Sequence, residues 1–240
     1  MATLNLAVWS GPRNISTAMM RSWENRADTR VIDEPLYGYY LQETGIDHPM
    51  AAQILESSTT DWQAVVAELI KETNTPAIYY QKHISTHLLD ALPLQWCLSL
   101  CNCMLIREPE RMVASYAKKR SDINARDFGY AEQLRLFEFL HANGQQPIVI
   151  DTDRLLQNPQ QQLQKWCHAI NIEFQPSMLS WPAGKRDTDG IWGAHWYDAV
   201  ENSTGFKPHQ PFETKLSKPL QAIADECRPA YETMLSVALK

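Results

Sequence analysis

An apolar run, LNLAVWS (Leu4 to Ser10), leads straight into GPRNIST (Gly11 to Thr17). A strand, a short turn and a helix start aim free backbone N–H groups and the positive end of a helix dipole at one spot, which suits an anion. Arg13 adds a fixed charge there, and Ser16 and Thr17 add hydroxyls that can cap the helix or bind oxyanions. Glu34, in VIDEP, returns a carboxylate to the rim of the same pocket, where it could take a proton from an acceptor. Together these residues describe a site for moving an anionic group from one molecule to another.

Positioning such residues takes a particular set of elements. LNLAVWS reads as a buried strand and Ser16 to Arg26 as the helix after it. Further strands are expected at Thr29–Pro35, Ala77–His83, Cys101–Arg107 and Pro147–Thr152. Helices are expected after the cap residue Asp61, after Pro109 in a first turn, over Tyr130–Asn143 to Gly144, and from Asn158-Pro159 to about Ile170. Strands alternating with helices give an α/β fold with a mostly parallel central sheet flanked by helices. Ligands of such sheets sit beyond the carboxyl ends of the strands, where Arg13, Glu34, His83 and Arg107 all fall. Trp181–Phe212 lacks periodicity yet is rich in aromatic residues, and reads as an ordered cover over the site. Pro219 opens a final helix that Pro229 should break or kink. Without repeats or a low-complexity linker, residues 1–240 read as one domain.

The chain has 240 residues, 44% of them hydrophobic and 21% charged, with a net charge of −6. That balance excludes a general nucleic-acid surface, so any anion site must be a local basic patch in an acidic protein. Five cysteines without framework spacing point to reduced thiols and a cytoplasmic setting. Cys97, Cys101 and Cys103 lie in an apolar stretch without a nearby histidine, and read as buried small hydrophobes rather than metal ligands. No metal site is expected. MATLNLAVW has neither a basic flank nor a long apolar core, and no run approaches the ~20 apolar residues of a membrane helix.

The first loop is not the GxxxxGK[ST] loop of nucleoside triphosphatases, because neither the second glycine nor the lysine is present. It resembles the P-[KR]-S-G-T-[TS] loop of sulfotransferases that use 3′-phosphoadenosine 5′-phosphosulfate (PAPS). Pro12, Arg13, Ser16 and Thr17 match that pattern, while Asn14 and Ile15 replace its serine and glycine. Arg107 and Ser115, in REPERMVAS, resemble the family's arginine–serine pair, and Lys185 to Trp192 (KRDTDGIW) resembles its R-K-G-x-x-G-x-W segment, with Asp187 in place of the first glycine. The segment from Ile148 to Phe174 also looks like the family's acidic–leucine–asparagine–proline stretch.

The resemblance implies a P-loop-like α/β architecture and sulfuryl transfer from PAPS, leaving 3′-phosphoadenosine 5′-phosphate (PAP), to a hydroxyl or amine of a small-molecule acceptor. By the same resemblance, Arg13, Asn14, Ser16 and Thr17 hold the 5′-phosphosulfate, and Arg107, Ser115, Lys185 and Arg186 hold the 3′-phosphate. Two residues compete for general base: Glu34, as in tyrosylprotein and trehalose sulfotransferases, and His83, in place of the histidine of the K-T-H motif. Glu34 is preferred. The alternatives are a small-molecule kinase using ATP and magnesium, and a nucleotide-binding protein that has lost catalysis, for which Ile15 and Asp187 speak.

Overall fold

Apolar runs rich in β-branched and aromatic residues pair side by side as strands in a computed structural model that describes residues 3–71, 75–211 and 215–240. The strands are β1 (Leu4–Ser10), β2 (Thr29–Asp33), β3 (Ile78–Ile84), β4 (Cys101–Ile106) and β5 (Ile148–Asp151). They form a single parallel sheet in the order β2-β3-β1-β4-β5. A parallel pair needs a crossover long enough to hold a helix, so helices cover both faces and the central strand is apolar over its middle, Leu6 to Trp9. Leu6 to Trp9 of β1 have no exposed surface at all.

Helices α1 (Ser16–Glu24), α2 (Tyr37–Thr44), α3 (Ala51–Ser57) and α4 (Trp62–Leu69) belong to the first half. The second half adds α5 (Pro109–Tyr116), α6 (Tyr130–Ala142), α7 (Thr152–Gln157), α8 (Pro159–Ala169), α9 (Gly193–Trp196), α10 (Asp198–Glu201) and α11 (Lys218–Leu235). Asp61 caps α4 by accepting from the Gln63 and Ala64 N–H groups, and Asn158 caps α8 through Gln161 N–H. Both caps satisfy amide groups that a helix start leaves orphaned.

Side chains alternate across each strand, and the sheet divides the core in two. Ala7, Trp9, Met104 and Ile106 face one layer with residues of α5, α6 and α11. Leu6, Val8, Cys103 and Leu105 face the other, with Met19, Met20 and Trp23 of α1 and Leu163 and Trp166 of α8. Cys97, Cys103, Cys167 and Cys227 are buried free thiols and Cys101 is half-buried.

The helix at Pro229 corrects one expectation. α11 runs unbroken through that residue, held by Ala224, Cys227, Ala230, Tyr231 and Met234 on its buried face. Packing of that face outweighs the hydrogen bond that proline removes. The aromatic segment is ordered as expected up to its last residue, with Trp181, Trp192 and Tyr197 buried and a bridge joining Ser180 to Gly205. Phe212 lies outside the described residues. Among the described residues no helix is long and apolar enough to cross a membrane.

Candidate active site

The register brings the carboxyl ends of four strands to one edge: Ser10 stands beside Ile84 and Leu105, and Asp33 beside Lys82. The turn after β1 is folded tightly against α5 and the residues before α6. A Cβ on Gly11 would lie 2.2 Å from the Phe128 carbonyl oxygen and 2.6 Å from the Met112 methyl, so only glycine fits. Arg13 (φ 62°) and Ile15 (φ 50°) are both left-handed, and so is Glu34 (φ 41°). These are three of the five non-glycine residues with positive φ among those described, and all three line one cavity. Strain of about 1–3 kcal/mol per residue persists where the surroundings over-determine the backbone, as they commonly do at functional sites.

That cavity, of about 400 Å³, gathers residues far apart in the chain. Arg107 donates from Nη1 to the Arg13 carbonyl at 2.9 Å, and Arg13 donates from Nε to Ser115 Oγ at 3.1 Å. Ser16 and Thr17 line the same end, with Arg111, Lys207 and His209. Tyr130 donates its hydroxyl to the Arg107 carbonyl and steadies the end of β4. The Arg107 Nε is buried without a hydrogen-bond partner, 3.8 Å from an Asp153 oxygen. Burial lowers the pKa values of Arg13 and Arg107, which keep their charge at neutral pH all the same.

At the other end, Lys82 donates to Asp33 Oδ1 at 2.7 Å, Glu34 Oε1 at 2.5 Å and Tyr197 Oη at 2.8 Å. All three of its N–H donors are thereby used. Tyr197 donates in turn to Asp33 Oδ2 at 2.7 Å, and the Gly190 N–H reaches that oxygen at 3.0 Å. Burial opposes the charge on Lys82, but Asp33 and Glu34 outweigh it and hold the ammonium well above its usual pKa. Burial raises the Glu34 pKa, opposed by Lys82 and reinforced by Asp33. Glu34 thus sits at the cavity as a desolvated carboxylate held by one cation.

Three expectations need correction. His83 points away from the cavity, because neighbouring residues of a strand face opposite sides of the sheet and Lys82 takes the cavity side. The His83 ring stacks on Trp9 at 4.0 Å and lies 1% exposed in the core. Burial, then Lys82, pushes its pKa down to about 3, so it is a neutral packing residue. The Asn14 side chain donates to the Leu105 carbonyl at 2.7 Å and accepts from Thr152 at 2.8 Å. This side chain straps the loop to β4 and to the start of α7, a structural task, while the residue itself lines the cavity. Lys185 and Arg186 do not line the cavity. Asp189 accepts from the Arg186 N–H at 2.9 Å and from Arg21 Nη2 at 2.6 Å, closing a turn that leaves Lys185 exposed. Arg111, Lys207 and His209 stand at the cavity instead. Arg111, one helical turn after Arg107, carried a spacing signal. Tyr197 and Lys207 carried none, since they sit in the irregular cover.

The sulfotransferase domain family model matches residues 4–238. Two Arabidopsis thaliana proteins, branched-chain-amino-acid aminotransferase-like proteins 2 and 1, are 32% and 33% identical over 226 and 228 residues. The matches take in 94% and 95% of this chain and 40% and 41% of theirs, so it spans about two fifths of the length of the curated relatives it matches. Among solved structures, the sulfotransferase domain from the curacin biosynthetic pathway superposes with TM-score 0.60 at 17% identity, over 99% of each chain. The sulfotransferase from Alicyclobacillus acidocaldarius gives 0.59 at 10% identity, over 100% of this chain and 98% of its own. At these identities the likeness is one of fold. With a parallel five-stranded sheet, a loop of left-handed residues after its central strand and a family match along nearly its whole length, the chain belongs to the sulfotransferase domain family.

Proposed function

We propose that this protein transfers a sulfuryl group from PAPS to a hydroxyl or amine of a small-molecule acceptor. One observation supports the reading above the rest: Arg13 and Arg107, ninety-four residues apart, meet in one cavity whose far end holds Glu34. The donor set fits an adenosine bisphosphate. It offers the loop's hydroxyls, the Arg13 guanidinium, Ser115, and an Arg107 whose buried Nε lacks a hydrogen-bond partner. Bidentate guanidinium contacts are well matched to phosphate oxygens.

On this reading the first loop and Arg13 hold the 5′-phosphosulfate end and steady the charge left on the bridging oxygen. Arg107 and Ser115, with Arg111, hold the 3′-phosphate. Glu34 takes the acceptor proton, and its burial moves its pKa toward working pH, where a general base acts best. Lys82 positions Glu34 and has no donor left for a ligand. PAPS supplies the activated S–O bond, and electrostatic positioning of this kind lowers the barrier to in-line transfer.

Ile15 keeps the left-handed backbone (φ 50°) at the place of the motif's glycine, which favours a working loop over an abandoned one. The plant relatives' aminotransferase-like names describe chains more than twice as long, whereas the sulfotransferase match spans every cavity residue named here. Titration calorimetry with PAP, and separately with ATP and magnesium, followed by a sulfate-transfer assay, tests the proposal. Micromolar PAP binding with weaker ATP binding is expected; ATP binding that needs magnesium and exceeds that of PAP would favour a kinase.

A further inference from the structure

Beside Glu34 the cavity changes character. Two runs of rings form its walls. In one, the His87 ring packs against both Tyr37 and Tyr40, each at 4.8 Å between centroids, with the two tyrosine rings 6.5 Å from each other. In the other, Trp196 lies parallel to His48 at 5.7 Å and to Tyr116 at 6.4 Å. All six line the cavity that holds Glu34.

One pair of polar atoms on these walls is matched internally, the Tyr37 hydroxyl with His48 Nδ1, and His87 Nδ1 is buried without a partner. Burial pushes the His48 pKa down to about 4 and that of His87 well below the usual histidine range, so both rings are neutral at working pH. Arg120 lowers the His48 pKa and Lys82 that of His87. A polyol would give up more water than it recovers on walls made mostly of ring faces and of Ile46, Ile84 and Val200. A flat aromatic ring gains stacking on either wall and loses little.

Resting on the transfer reading above, we infer that the acceptor is a phenol, its ring held between the Tyr40–His87 and Trp196–Tyr116 walls and its hydroxyl at Glu34. In the step this implies, the phenolic oxygen forms a bond to sulfur. The bond from sulfur to the 5′-phosphate oxygen breaks with its electron pair going to PAP, and the phenolic proton goes to the Glu34 carboxylate. The products are an aryl sulfate and PAP.

Calorimetry of the full chain with 2-naphthol, its saturated counterpart 2-decalol and glucose, each with and without PAP, tests the ring requirement. The expected result is 2-naphthol binding at least tenfold tighter than 2-decalol, with glucose heats indistinguishable from dilution. Trp196→Leu and Tyr40→Leu, both at half-buried positions, should cut that ratio to threefold or less, and Trp196→Phe should restore most of it. Equal or tighter binding of 2-decalol or glucose, or a ratio untouched by both leucine variants, overturns the inference. Ring-selective binding with no aryl sulfate formed from PAPS retires the transfer reading and leaves ring recognition standing. Transfer to 2-decalol or glucose but not to 2-naphthol does the reverse.

Discussion

Replacing Lys82 by methionine tests the polar centre of the site most directly. The side chain is 1% exposed, as is that of its partner Asp33, and Glu34 is 10% exposed. Methionine fills most of the volume but strands two carboxylates on the loss of one ammonium. Removing one partner of a buried ion pair costs about 3–5 kcal/mol, because the remaining charge is left uncompensated. For a domain of this size each kcal/mol shifts Tm by about 2–4 °C, so thermal unfolding should move down by about 6–20 °C at neutral pH.

The sign of the pH dependence is fixed as well. Without Lys82, burial and Asp33 both raise the Glu34 pKa further above its ordinary value of 4.5. A carboxyl whose folded pKa exceeds the unfolded one binds its proton more tightly when folded. Its contribution is present at low pH and lost as pH rises from the unfolded value through the folded one. The Tm gap between wild type and Lys82→Met should therefore be smallest near pH 4.5 and widen toward pH 8, as followed by circular dichroism. Lys82→Met combined with Glu34→Gln should recover part of the loss. A gap below about 2 °C, or one that narrows as pH rises, would refute this account of the network.

Other perturbations separate the roles of individual residues. Arg13→Ala should weaken PAP binding by about 10–150-fold in calorimetry, the value of one or two charge-assisted hydrogen bonds; an unchanged Kd would remove the first loop from the anion site. Glu34→Gln should lower kcat by about 10²–10⁴-fold while PAP affinity stays within twofold, and a pH–rate profile should lose its acidic limb. His83→Ala should lower Tm by several degrees through loss of its stack on Trp9, with kcat within about threefold of wild type; a kcat loss matching that of Glu34→Gln would return His83 to the role of base. Gly11→Ala should both destabilise the fold and weaken PAP binding, since its methyl would collide with a backbone carbonyl rather than a flexible side chain.

How far the sequence could be read depended on the range of the forces involved. The five strands and the capped helices are local matters of periodicity, Asp61, Pro109 and Asn158, and their positions come within a residue or two. That Arg13, Glu34 and Arg107 meet at one cavity follows from the rule that parallel strands end at one edge, whereas Ser115, inside α5, came only with the family resemblance. His83 failed on parity: a shift of one residue along β3 moves a side chain from the cavity to the core, and the lysine of QKH took the cavity side. Lys185 and Arg186 failed because Asp189, three residues further on, captures the turn and bonds to Arg21 on a distant helix. Helices α2 and α3 went unread; neither has a side-chain cap, and each is at most eight residues long. Tyr197 reaches the site from 164 residues beyond Asp33, and no local pattern announces such a partner.

Asp33 ties two things together that the chain holds apart. One of its oxygens receives both the Gly190 N–H and the Tyr197 hydroxyl, and the other receives Lys82. Peeling residues 190–197 off the sheet would unsatisfy a buried acid and a buried base at once. The neighbouring stretch near His209 and Gln210 meets Arg111 through the Gln210 carbonyl and the His209 ring, and His209 Nε2 also lies 3.9 Å from Asp153 Oδ1. The Tyr197 edge of this cover is thus tied into the buried centre of the sheet, while its His209 edge is tied to Arg111 and Asp153 at the guanidinium cluster.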